Sequence, residues 1–130
     1  QGGVISPDGR WMAYASDESG RLEIYVDSFP TPRNKYRVTT AGGATVRWRK
    51  DGKELMTTSL DGRSVLLADV LPGPEFKTAA PRPALTLPRG TVWAQPTLDF
   101  QKFLVATPVG ENTTSSLTVV FDWAGALRKK

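Results

Sequence analysis

Ser6-Pro7-Asp8-Gly9-Arg10-Trp11-Met12-Ala13-Tyr14 is the stretch on which the reading of this chain turns. Glycine after aspartate supplies the positive φ of a tight turn, and the aspartate carboxylate accepts backbone amides two residues on. The run that follows, Trp11 to Ala15, mixes aromatic and small apolar residues as a strand does.

The same step returns along the chain. Arg49-Lys50-Asp51-Gly52-Lys53 precedes a second apolar run, and Thr97-Leu98-Asp99-Phe100-Gln101 precedes a third. Asp8 and Asp51 lie 43 positions apart, and Asp51 and Asp99 lie 48 apart. A period of about 40–50 residues filled with short strands is the sequence form of a propeller blade. Helical repeats share that period, but the apolar residues here alternate: Leu22, Ile24 and Val26 fall on one face of one strand. The structural turn residues are therefore Asp8, Gly9, Asp51, Gly52 and Asp99. The third turn carries Phe100 where glycine is expected, which predicts a looser turn or one of another type.

The expected fold is all-β: about three antiparallel blades of four strands, spanning residues 1–42, 43–89 and 90–130. The first takes Val4-Ile5, Trp11 to Ala15, Leu22 to Val26 and Tyr36 to Thr39. The second takes Thr45 to Trp48, Glu54 to Ser59, Val65 to Val70 and Ala84 to Leu87. The third takes Val92 to Gln95, Lys102 to Thr107 and Leu117 to Trp123, with no outer strand. Pro72 to Pro83 is proline-rich and predicts an extended loop within the second blade. The only helical candidate, Trp123 to Lys130, is too short to stand alone.

Composition removes several chemistries. The 130 residues include no histidine and no cysteine, so a Ser-His-Asp triad, a thiolate nucleophile and a Cys-bound zinc are all excluded within this chain. Ser6, Ser16 and Ser59 have no histidine partner and no nucleophile elbow. No phosphate-binding glycine loop is present, and Gly42-Gly43 reads as the passage between blades. The carboxylates Asp8, Asp51 and Asp99 recur with the blade period, which makes them turn residues and not metal ligands or general acids. The expectation is no catalytic residue, no metal and no cofactor. A net charge of +4, scattered along the chain, carries no nucleic-acid reader motif. No apolar run approaches the length of a membrane span. Arg47 and Arg49 flank an inner strand and could point into a central channel, so they are the candidate ligand-binding residues. Most of the four tryptophans and three tyrosines are expected to pack between blades.

Ser6 to Tyr14, Glu23-Ile24-Tyr25-Val26 and Ala41-Gly42-Gly43 resemble the TolB-like, WD-like repeats of bacterial propellers, and Trp48 to Leu55 resembles the next repeat. The wording is similar to the C-terminal propellers of some bacterial serine/threonine kinases, which end on a strand and a basic tail, as Val119 to Trp123 and Arg128-Lys129-Lys130 do here. The resemblance implies an extracytoplasmic binding scaffold for a protein or peptide, the sensor part of a larger signalling protein. It also leaves open the accessory propeller of a prolyl oligopeptidase-like hydrolase and a small-molecule or glycan binder. Such propellers close with about six to eight blades. The chain is therefore expected to be a piece of a longer propeller, as its start at Gln1 also suggests, or one half of a homodimer closing a six-bladed ring.

Overall fold

A computed structural model describes residues 3–87, 93–100, 103–109 and 114–121. The chain is all-β, with no helix among the described residues. The first sheet runs in chain order through β1 (Val4–Ile5), β2 (Trp11–Ser16), β3 (Glu23–Ser28) and β4 (Tyr36–Arg37). The second does the same through β5 (Val46–Trp48), β6 (Glu54–Thr58), β7 (Ser64–Asp69) and β8 (Arg82–Thr86). The third holds β9 (Trp93–Pro96), β10 (Phe103–Val109) and β11 (Thr114–Phe121). Neighbouring strands pair antiparallel throughout. Strand ends shift from the sequence expectation: β4 stops at Arg37, and β8 begins at Arg82, inside the proline-rich stretch. The expected C-terminal helical turn lies outside the described residues.

Register explains how the sheets stack. In the first sheet Ala13 pairs with Val26 and Ala15 with Ile24, which puts these residues on one face. In the second, Trp48 pairs with Leu55 and Leu55 with Ala68. The two faces meet in one core cluster that includes Ala13, Ile24, Val26, Trp48, Leu55 and Ala68. Met56 pairs with Leu67, so these two residues lie on the opposite face, where they join Val65, Leu87 and Phe100. The second sheet is thus apolar on both sides, and Leu55, Val65, Leu67 and Ala68 are fully buried.

Side-chain and turn bonds tie the sheets together. The Trp48 indole donates to the Val4 carbonyl (2.9 Å), the Tyr36 hydroxyl to the Thr78 carbonyl (3.0 Å), and the Lys50 amide to the Leu98 carbonyl (2.7 Å). The proline-rich stretch is more than a spacer. It folds back so that Thr78 bridges to Val70, just past the end of β7, and it buries Phe76 in the first cluster.

The repeated turn is one module. The Gly9 amide donates to the Ser6 carbonyl (2.9 Å), and the Asp8 carboxylate accepts the Ser6 hydroxyl (2.6 Å) and the Arg10 amide (3.1 Å). Asp51 and Asp61 accept the Lys53 and Arg63 amides in the same way. The third turn does not loosen: the Phe100 amide donates to the Thr97 carbonyl (2.9 Å), Thr97 donates to Asp99 (2.8 Å), and Phe100 takes φ 58° beside 77° at Gly9 and 75° at Gly52. A left-handed non-glycine residue costs about 1–2 kcal/mol, whereas burying a phenylalanine returns about 1.5–3 kcal/mol. Phe100 is 1% exposed, so burial prevails. In urea unfolding, Phe100→Ala is expected to lose about 3–5 kcal/mol. Phe100→Gly is expected to unfold at higher urea than Phe100→Ala, by about 1 kcal/mol, because it removes the left-handed penalty.

Candidate binding groove

Two depressions open along the side of the first sheet that faces the second, one of them beside the Asp8 and Asp51 turns. The first, of about 320 Å³, is lined by Asp8, Asp51, Trp11, Trp48 and Val70, among others. The second, of about 340 Å³, is lined by Trp11, Tyr36, Phe76, Arg33, Lys35 and Lys77, among others. Trp11 lines both, so the two depressions adjoin at that residue along the seam between the first and second sheets, and together they are called the trough.

Its floor is aromatic. Phe76 sits among Trp11, Tyr36 and Trp48, with ring centroids 5.4, 5.7 and 6.0 Å away. Trp11 comes from the start of β2 and Tyr36 from β4. Phe76 reaches in from the loop before β8. Phe76 is buried, while Trp11 and Tyr36 keep part of their surface in solvent. The Arg10 guanidinium lies over the Trp11 ring at 5.7 Å.

The trough is polarised. At one end the Ser6 hydroxyl, with help from the Arg10 amide and charge, holds the Asp8 carboxyl below its ordinary value against the opposing effect of burial. A hydrogen bond from the Arg49 guanidinium (2.8 Å) does the same for Asp51. Both are fixed anions at neutral pH, which suits them to electrostatic and turn roles and not to proton transfer. At the other end stand Arg33, Lys35 and Lys77. Lys35 pairs with Glu18 and lies over the Tyr25 ring. Arg33 and Lys77 are exposed, and neither side chain has an ion-pair partner among the described residues. Glu75 lines the same end.

Arg47 and Arg49 stand apart from this trough. Arg47 is exposed on β5, opposite Met56, so it lies on the face turned away from the first sheet. Arg49 is committed to Asp51 and to the buried Glu54 (3.0 Å), whose other oxygen accepts Arg82 (2.8 Å). The trough residues Tyr36, Arg33, Phe76 and Lys77 escape a reading by repeats because their loops do not recur. The available signal was a lone phenylalanine, Phe76, inside an otherwise polar and proline-rich loop.

A buried, shifted carboxyl is where a catalyst would be sought. Glu23 is 2% exposed. Burial pushes its carboxyl up, but hydrogen bonds from the Thr39 hydroxyl, Arg21 and the Gly42 amide together hold it below its ordinary 4.5. Arg21 comes from the turn between β2 and β3, and Thr39 and Gly42 belong to the passage from the first sheet to the second, where Gly43 packs so closely that a Cβ would come within 2.7 Å of Ile24. Glu23 is a latch. No group of three or more metal-ligating side chains occurs among the described residues. No protein-family model matches the chain, and no curated protein does.

A carboxyl depressed by folding stabilises the fold above its unfolded value, and that contribution is lost as pH falls through the folded value. Glu23→Gln is therefore expected to lower Tm by about 5 °C or more at pH 7. The gap between variant and parent should close as thermal melts are carried below pH 4.5, the ordinary value of this carboxyl. A gap unchanged with pH would remove the ionised latch.

Proposed function

We propose that the chain is a non-catalytic binding scaffold: successive β-propeller blades whose seam groove receives a protein or peptide partner. The observation that carries this reading is the sidedness of the second sheet, apolar on both faces, with the first sheet packed on one face and Phe100, from the turn that follows β9, on the other. Radial repetition of four-stranded meanders produces that pattern. The seam between the first two sheets then opens into a trough with an aromatic floor, the kind of surface that anchors protein partners. The carboxylates Asp8, Asp51, Asp99 and Glu54 are held by turn amides, hydroxyls and arginines.

The test is selection of peptides from a random display library on the immobilised chain. Enriched peptides should bind at least about tenfold more weakly to Asn34→Trp, which fills the trough from an exposed position and leaves the core intact. No enrichment, or binding indifferent to Asn34→Trp, would count against the groove.

The scaffold reading also includes ring closure by two copies of the chain. Light scattering on a sizing column should then give a mass near twice 14.2 kDa over a range of concentrations. A concentration-independent monomer would remove the two-copy ring and leave the groove unaffected.

A further inference from the structure

The two ends of the trough differ in charge, and the difference narrows what the groove accepts. Arg33 and Lys77 enter from separate loops, one before β4 and one before β8, and both line the depression floored by Trp11, Tyr36 and Phe76. Lys35 completes the cationic group but is already paired with Glu18. Glu75 offsets one charge, which leaves the pocket with a surplus of positive charge around an apolar floor. A bare inorganic anion would meet the cations and leave the aromatic surface wet. A purely apolar side chain would cover the rings and leave two cations facing it. The surface is complementary to an apolar side chain with carboxylates beside it.

We propose that this depression binds an acidic peptide segment, with an aromatic or large aliphatic side chain on Trp11 and Tyr36 and its flanking carboxylates on Arg33 and Lys77. The proposal rests on the binding-scaffold reading and specifies the partner chemistry of the same groove. An extended chain continuing past Trp11 would reach the Asp8 and Asp51 end, which selects against further acidic residues there. The acidic segment therefore occupies one end of the bound peptide, not its whole length.

Fluorescence anisotropy with three labelled peptides tests this: phenylalanine flanked by aspartate and glutamate, by lysine, or by glutamine. The acidic peptide should bind tightest, by at least about tenfold over the lysine peptide, and should weaken as salt is raised. The double variant Arg33→Glu/Lys77→Glu changes two exposed side chains, so the fold, checked by circular dichroism, should persist. It should reverse the order of the acidic and lysine peptides. Equal binding of all three peptides, or an order unmoved by the charge reversal, would overturn the acidic assignment. If such binding were still blocked by Asn34→Trp, the scaffold reading would survive that result. Binding by none of the three at any salt would overturn the acidic assignment, while peptide enrichment from the random library would still uphold the scaffold. Association with anionic lipid vesicles but not with the acidic peptide would also overturn it.

Discussion

Phe76 is the contact on which the association of the first two sheets depends. Its ring touches Trp11 and Tyr36 from the first sheet and Trp48 from the second. Offset and edge-to-face aromatic pairs add about 0.5–1.5 kcal/mol each beyond the area they bury. Three of them converge on one side chain that belongs to no strand. The loop carrying it is fixed at both flanks, by the Val70–Thr78 bridge and by the Tyr36 hydroxyl on the Thr78 carbonyl. The same ring that closes the seam therefore also floors the groove, and packing and recognition share one residue.

The polar chemistry is arranged around that seam and does not compete with it. Glu23 and Glu54 are the buried carboxylates among the described residues, and each is satisfied within its own neighbourhood. Glu54 lies between two arginines, Arg49 and Arg82, where loss of either would leave a buried charge only partly compensated. Glu23 fixes the entry to the second sheet through Thr39 and Gly42. These networks set where each sheet begins relative to the last, while the apolar clusters set how closely the sheets approach. Direction and distance are controlled by different residues.

The all-β class and the order of strands were legible in the sequence because the Asp-Gly turn repeats and because apolar residues alternate. Asp8, Asp51 and Asp61 show why local chemistry sufficed there: each turn is closed by hydrogen bonds within a few residues. Phe100 shows where local chemistry failed. Its backbone conformation is set by a core cluster formed with Met56, Val65 and Leu67, more than thirty residues away in sequence. The groove was illegible for the same reason. Trp11, Tyr36 and Phe76 come together only through sheet stacking, and the loops that supply Arg33 and Lys77 have no counterpart in the other repeats. Arg47 and Arg49 were legible as a charge cluster, but their separate settings come from strand register and from Glu54.

The two-faced second sheet carries a consequence for how such a chain lengthens over generations. A unit apolar on both sides is stable only between two others, so duplicating it produces a further interior unit that fits its own parent. The first sheet cannot be copied so freely, because its far face carries the Tyr14–Tyr25 stack and the Glu18–Lys35 pair instead of an aliphatic surface. Copying that sheet would set a charged pair and two tyrosines against an interior unit. Of these two sheets, the second is therefore the one whose copy would meet apolar surface on either side.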